Sequence, residues 1–118
     1  MATERDVRCI AKSLPETVEA NPGFSFSVAG TDFVWPYPER VPRKRARVPR
    51  LDIYVVRVAD ESDKQALLAG EPAKFFTTDH YNGFPAVMVR LDEVDNVELA
   101  ELLKDAHEAA RQPKKRRR

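Results

Sequence analysis

The sequence is poor in the residues from which many enzyme and metal sites are built. Its one cysteine, Cys9, cannot form a disulfide within the chain, and its two histidines, His80 and His107, match no zinc-ligand spacing. The four glycines form no phosphate-binding loop and no Gly-x-Ser-x-Gly nucleophile motif. We therefore expect no catalytic residues, no cofactor and no metal, and the composition favours a binding protein over an enzyme.

Long apolar stretches are absent as well. None approaches the ~20 residues that a membrane helix requires, so no membrane partner is expected. The first residues lack the basic and apolar regions of a signal peptide, which predicts a soluble, cytoplasmic protein. A length of 118 residues suits one domain, which we assign to residues 1–112, followed by a basic C-terminal tail at 113–118.

Positive charge is concentrated in two segments. The chain has 20 basic and 19 acidic residues, for a formal net charge of +1. An uneven distribution of these charges, with basic clusters on an acidic body, indicates an anionic partner. The segment 38–50 and the tail together contain Arg40, Arg43, Lys44, Arg45, Arg47, Arg50, Lys114, Lys115, Arg116, Arg117 and Arg118.

Three helices are predicted from caps and apolar periodicity. They end before Pro15, at Gly70 and before Pro113. Each begins with a capping residue and an acidic side chain three residues on, and these pairs are Thr3–Asp6, Asp60–Asp63 and Asp95–Glu98. Apolar residues with helical spacing mark the buried faces of the first and last helices: Val7, Ile10, Ala11, Leu14, Leu99, Leu102, Leu103 and Ala106.

Five strands are predicted between the helices. Ala29–Asp32 and Tyr81–Gly83 have the composition of turns, and four prolines break the chain into a long loop over 38–50. The strands are 24–28, one that begins at Phe33, 52–58, 75–78 and 86–91. The prediction is therefore an α+β fold, an antiparallel sheet packed against helices, in the order α-β-β-β-α-β-β-α.

Four stretches of the sequence share a pattern with a known family. They are Ala11–Glu16, Phe75–Pro85, Val89–Leu91 continuing into Val94–Asp95, and Glu101–Ala106. On these residues the chain resembles the MmcQ/YjbR family over roughly residues 5–111. The resemblance implies a fold like that of frataxin and CyaY, a DNA-binding role in which hairpins act as a double wing, and no defined catalytic residues.

The chain departs from the family pattern in three places. Thr31 and Asp32 follow Gly30 where the family often has Gly-Lys, which weakens a phosphate contact at the first wing. His107 stands where an aromatic residue is common. The loop 38–50 is longer and more basic than usual, so positive charge is moved to that loop.

The basic loop and the hairpin around His80 are the predicted contacts with nucleic acid. Clustered cations neutralise phosphates, and arginine makes bidentate contacts with them. His80 could donate to a phosphate or act as an acid or base, although a turn histidine bonded to the backbone is the simpler interpretation. The predicted binding residues are Arg40, Arg43, Lys44, Arg45, Arg47, Arg50, His80, Tyr81, Asn82, Lys114 and Lys115.

Two further groups of side chains have a functional and a structural interpretation. Trp35, Tyr37, Tyr81 and Phe84 lie near predicted loops, where they either stack on bases or pack in the core. The last helix has four carboxylates on one side, which suits a solvated surface better than a metal site. These carboxylates are Glu98, Glu101, Asp105 and Glu108.

The sequence as a whole predicts a monomeric, non-enzymatic protein that binds DNA in preference to RNA. Two other classes remain open. One is a protein-interaction or chaperone-like module that uses its sheet face, which a flat, exposed apolar sheet would favour. The other is a small-ligand pocket near Trp35, His80 and Tyr81, which a cleft uniting those side chains would favour.

Overall fold

The computed structural model describes residues 2–19, 25–39, 48–78, 81 and 83–111, with the backbone alone for 38–39 and 48–51. The helices are α1 Glu4–Ser13, α2 Glu61–Gly70 and α3 Asn96–Arg111, with a 3₁₀ turn at Leu91–Glu93. The strands are β1 Val18–Glu19, β2 Phe26–Val28, β3 Thr31–Glu39, β4 Val48–Arg57, β5 Phe75–Phe76 and β6 Ala86–Arg90.

Within the described residues these strands form one antiparallel sheet in the order β1-β2-β3-β4-β6-β5. Helix α3 packs across β2, β3 and β4, and α1 packs beside α3 on the same side. The predicted α+β class and element order are confirmed, with the short strand β1 as an addition. Glu16, at a φ of 60°, turns the chain from α1 into β1.

Each helix begins where its predicted cap stands. The Thr3 hydroxyl accepts a hydrogen bond from the Asp6 backbone while the Asp6 carboxylate accepts one from the Thr3 backbone. The pair Asp95 and Glu98 makes the same reciprocal bonds, and the Asp60 carboxylate caps α2. These predictions are confirmed because a cap satisfies orphan N–H groups with atoms only three residues away.

The first hairpin turns over two residues. Val28 pairs with Thr31, and the residues between them, Ala29 and Gly30, have φ values of 53° and 79°. Positive φ at both central positions is typical of a type I′ turn, whose twist matches that of the flanking strands. The turn predicted at Ala29–Asp32 is thus confirmed, but only Ala29 and Gly30 form it, since Thr31 and Asp32 already belong to β3.

The predicted loop 38–50 is too long at both ends. Pro38 pairs with Pro49, so β3 and β4 continue into the proline-rich stretch. Proline is tolerated in a strand where its nitrogen need not donate, so it did not mark the strand ends. The register also shifts between Pro36 and Tyr37, where β4 accommodates residues 51–53 as a bulge.

Two strands near the C-terminal half are shorter than predicted. β5 ends at Phe76 because the next residues enter a turn, in which the Thr78 carbonyl accepts from the Tyr81 backbone. β6 ends at Arg90, and Leu91 begins the 3₁₀ turn. The alternating composition of 75–78 and 86–91 predicted the strands correctly, but not the point where each hydrogen-bonded ladder stops.

One side of the sheet, here called the helix face, forms the main core. Leu99, Leu103 and Ala106 of α3 are completely buried there, as predicted, whereas Leu102 is only half-buried. His107 takes part in the same packing, with its ring edge-on to Phe33 at 5.4 Å. The largest completely buried side chains that the strands contribute to this core are Phe26, Phe33 and Tyr54.

Candidate nucleic-acid interface

The opposite side of the sheet, here called the aromatic face, forms a second and smaller cluster. Strand alternation creates it, because side chains two residues apart point to the same face. On β4, for example, Val55 lies on the aromatic face while Tyr54 and Val56 lie on the helix face. The aromatic face comprises Trp35, Tyr37, Ile53, Val55, Arg57, Phe76, Ala86, Met88 and Arg90.

Cross-strand pairing fixes the layout of this face. Val55 stands between Trp35 on β3 and Met88 on β6, and Phe76 on β5 pairs with the same methionine. Val55 and Met88 are completely buried, whereas the aromatic rings to either side of them are half-buried. The centre of the face is therefore dry, and its two flanks present ring surface to solvent.

The turn after β5 covers part of the aromatic face. The indole Nε1 of Trp35 donates a hydrogen bond to the Tyr81 hydroxyl at 3.2 Å. Phe84 packs edge-on against both rings, with centroid distances of 6.3 Å to Trp35 and 5.8 Å to Tyr81. Tyr81 is 8% exposed, so this predicted binding residue packs into the protein instead of facing solvent.

A buried lysine holds that turn in place. Lys64 on α2 is 1% exposed, and its ammonium donates to the backbone carbonyls of Tyr81 at 2.6 Å and Phe84 at 2.8 Å. Burying a charge is costly unless hydrogen bonds compensate for lost water. The lysine thus fixes the turn relative to α2. The sequence contains a signal for this burial, because Lys64 precedes Leu67 and Leu68 at the i, i+3, i+4 spacing of one helix face.

Two arginines lie on the aromatic face, where one stacks on a ring of that face and the other on a ring of the covering turn. The Arg90 guanidinium lies 4.3 Å from the Phe76 ring centroid, and the Arg57 guanidinium lies 5.4 Å from that of Phe84. Both distances are within the range of cation–π attraction. The ring of Tyr37 meets Phe76 edge-on at 6.3 Å, so the rings form a continuous surface next to Arg90.

Each arginine is anchored through part of its guanidinium. Arg57 Nε donates to the Asp32 carbonyl at 2.7 Å, and Arg90 Nη1 lies 3.4 Å from the carbonyls of Pro72 and Ala73. Burial lowers the pKa of Arg57, and the Asp32 charge opposes that shift. Among the described residues, the other N–H groups of both arginines have no hydrogen-bond partner.

The charged groups near the aromatic face differ from those of α3. Of the aromatic-face residues named above, the two arginines carry charge, and the Asp32 carboxylate lies close enough to Arg57 to act on its pKa. The carboxylates of α3 belong to the opposite layer, where Glu101 and Asp105 are exposed and Glu98 pairs with Lys74. Among the described residues, no group of three or more His, Cys, Asp or Glu side chains is placed to hold a metal ion.

Most of the predicted binding residues lie outside the described part of the chain. Arg50 is placed by its backbone, which pairs with Tyr37. The stretch 40–47, called the basic segment below, joins β3 to β4 along the chain and starts three residues after Tyr37. Those outside the described residues are Arg40, Arg43, Lys44, Arg45, Arg47, His80, Asn82, Lys114 and Lys115.

Arg57 and Arg90 were not among the predicted binding residues, although a simple pattern marks them. Each stands two residues after an aromatic-face side chain, Val55 in one strand and Met88 in the other. Alternation therefore places both on that face. Both also lie apart from the basic clusters in the sequence.

Comparison with known proteins gives a family match and uncharacterized relatives. The family model described as YjbR matches residues 12–109. Uncharacterized proteins Mb2600 of Mycobacterium bovis and Rv2570 of Mycobacterium tuberculosis are each 41% identical over 112 residues, covering 90% of this chain and 86% of the relative. No solved structure matches. In the part of the chain that the structure describes, no helix is long and apolar enough to cross a membrane.

Proposed function

The chain belongs to the YjbR family, and we propose that it is a non-enzymatic protein that binds nucleic acid, DNA in preference to RNA. We place this activity in the cytoplasm and assign it to a monomer. The observation that carries the proposal is the stacking of two arginines on aromatic rings: Arg90 on the half-buried Phe76 of the aromatic face, and Arg57 on the exposed Phe84 of the adjoining turn. Rings and guanidinium groups are the side chains that proteins use to contact bases and phosphates.

The basic segment supplies the larger part of the affinity in this proposal. It contains Arg40, Arg43, Lys44, Arg45 and Arg47 and continues from the strand that carries Tyr37. Binding of its cations to phosphates releases condensed counterions, which lowers affinity as salt rises. Because the rest of the chain is acidic, this segment leads the contact with a polyanion.

The small-ligand alternative is less well supported. Trp35 and Tyr81 do meet, as that alternative required, but the indole N–H and the phenol oxygen bond each other. An indole N–H that already donates within the protein offers a ligand less specificity than polar groups that converge on an open space. The protein-interaction alternative becomes the better one if the chain does not bind nucleic acid.

The test is a titration against duplex DNA, single-stranded DNA and RNA at two salt concentrations. Four to six phosphate contacts with duplex DNA give a slope of log K against log salt of roughly −4 to −5. Replacing Arg43, Lys44, Arg45 and Arg47 with alanine should flatten that slope and weaken binding to all sequences alike. Lys12→Ala with Lys104→Ala, which removes exposed cations of the helix layer, is the matched control.

Two results would contradict the proposal in different ways. If deletion of residues 114–118 abolishes binding while the variant of the basic segment binds normally, the affinity is a generic effect of the tail. If the intact chain binds none of the three nucleic acids even at low salt, the nucleic-acid proposal is wrong, and a protein-interaction role becomes the better account of the aromatic face.

A further inference from the structure

We propose that the aromatic face takes single-stranded nucleic acid, with unpaired bases stacked on Trp35, Tyr37 and Phe76 and backbone phosphates held by Arg57 and Arg90. This inference rests on the proposed function and specifies the form of nucleic acid that is bound. It assigns the specificity to the sheet and the general affinity to the basic segment.

The partial burial of the rings is the first argument. Trp35, Tyr37 and Phe76 are half-buried, so each is held in place by its neighbours and still presents ring surface to solvent. A ring that is already ordered loses little conformational entropy when a base stacks on it. The bases of a duplex are stacked on one another, so their ring surfaces are accessible in a single strand only.

The arrangement of the rings is the second argument. Trp35 lies on β3 and Phe76 on β5, with β4 and β6 between them, and Tyr37 meets Phe76 edge-on. Trp35 instead contacts Phe84 and hydrogen-bonds Tyr81, so the rings form two groups on the face, one at Trp35 and one at Tyr37 and Phe76. A distributed set of rings suits a chain of successive bases better than one small aromatic ligand.

The arginines supply the third argument, which is charge complementarity. Arg57 and Arg90 stand at opposite ends of the paired strands, since Arg57 pairs with Ala86 and Arg90 with Ile53. Each uses only part of its guanidinium within the described structure, which leaves N–H donors for phosphate oxygens. On α3, by contrast, the exposed cations Lys104 and Arg111 are interspersed with the exposed carboxylates of Glu101, Asp105 and Glu108.

Trp35 provides a direct probe of this face because it is the sole tryptophan of the chain. The full chain is titrated with a deoxythymidine strand of about 16 nucleotides, a duplex of the same length and an abasic strand with the same phosphates. The single strand should quench the Trp35 emission and bind at least tenfold more tightly than the abasic strand. The duplex should bind with little change in that emission.

Two variants test the rings while keeping the tryptophan probe. Tyr37→Leu and Phe76→Leu should each weaken single-strand binding about tenfold, because each removes a stacking surface. Neither should affect binding of the abasic strand. Val97→Ala changes a residue of α3 that is 73% exposed on the other layer, and it should bind like the parent chain. Thermal unfolding of each variant establishes that it is folded.

Three outcomes overturn the inference, and they separate it from the proposed function. Equal affinity for single, duplex and abasic strands without quenching leaves nucleic-acid binding intact but assigns it to phosphate contacts alone. Absence of any binding at low salt removes both proposals. A blue shift of Trp35 emission that grows with protein concentration, without DNA, means that a second copy of the chain covers the face.

Discussion

The two faces of the sheet differ in how completely their side chains are buried. On the helix face, side chains such as Phe33, Leu99 and Leu103 are completely buried beneath α3. On the aromatic face, the rings of Trp35 and Phe76 remain half-buried, and the turn after β5 covers only part of the surface. One β-strand therefore contributes to a closed core on one side and to an accessible surface on the other.

In our account this difference assigns stability to one face of the sheet and binding to the other. Burial of apolar side chains stabilises a fold in proportion to the area removed from water, so the helix face contributes most of the stability. An aromatic surface that stays partly exposed contributes less to stability than a completely buried one. We propose that this surface serves binding, and each prediction below tests the contrast between the faces.

The largest expected effect is on the helix face. Leu103→Ala removes a completely buried side chain of α3 and should lower the free energy of unfolding by about 2–5 kcal/mol. Leu102→Ala should cost less, because Leu102 is half-buried. Denaturant unfolding measures both, and Glu101→Ala, on the exposed side, should stay within about 0.5 kcal/mol of the parent. Equal small losses for all three would mean that α3 is not packed as described.

A second effect concerns the lysine that holds the covering turn. Lys64→Met keeps the aliphatic stem but removes two charge-assisted hydrogen bonds, and it should destabilise the protein by about 1–3 kcal/mol. The loss is moderate because each carbonyl keeps a backbone partner, the Phe84 N–H for Tyr81 and the Ala86 N–H for Phe84.

The matched control for this lysine is Lys104→Met, which makes the same change on an exposed position of α3. It should leave the unfolding curve almost unchanged. A Lys64→Met protein as stable as its control would show that the buried ammonium contributes nothing, since relief from the cost of burying a charge would then balance its hydrogen bonds.

A smaller effect is expected from the hydrogen bond between Trp35 and Tyr81. Trp35→Phe and Tyr81→Phe each remove one partner, and the double variant completes a thermodynamic cycle. The coupling free energy should be about 1 kcal/mol, measured by denaturant unfolding. The cycle is needed because Tyr81 has interactions besides this bond. A coupling energy near zero would mean that the turn is not bonded to the face in solution.

The smallest effect is expected at the surface pair of Glu98 and Lys74. The hydrogen bond from Lys74 is the main reason that the pKa of Glu98 is lowered, and the same bond raises the pKa of Lys74. The contribution of Glu98 is therefore full above its unfolded pKa of about 4.3 and disappears as pH falls through the lower folded value.

Glu98→Gln should accordingly reduce stability slightly at neutral pH and leave it unchanged in strong acid. Unfolding curves at several pH values, compared with those of Glu101→Gln on the exposed side of the same helix, measure this difference. A loss that persists at acidic pH would show that the pair acts through packing and not through charge.

The sequence predicted the features that depend on neighbouring residues. The caps at Thr3, Asp60 and Asp95 and the turn at Ala29–Gly30 are local, and their residue types alone specify them. The ends of β3 and β4 depend instead on pairing between distant residues such as Pro38 and Pro49. The composition of a segment does not show which distant residue it pairs with, so the predicted loop was too long.

The candidate site was harder to predict than the fold. Clustered charge marks the basic segment in the sequence. Arg57 and Arg90 are isolated in the sequence, and only the folded sheet places them on one face next to aromatic rings. Lys64 was missed because a helical lysine is usually exposed. The likeness to frataxin and CyaY, and the roles of His80 and Asn82, stay predictions.

The most direct test of the whole account is a nuclear magnetic resonance titration of the full chain with a single-stranded deoxythymidine oligonucleotide. The account predicts shifts at the Trp35 indole N–H and at the backbone amides of Tyr37, Arg57, Phe76 and Arg90, with little change along α3. Shifts concentrated on α1 and α3, with the aromatic face unaffected, would contradict it.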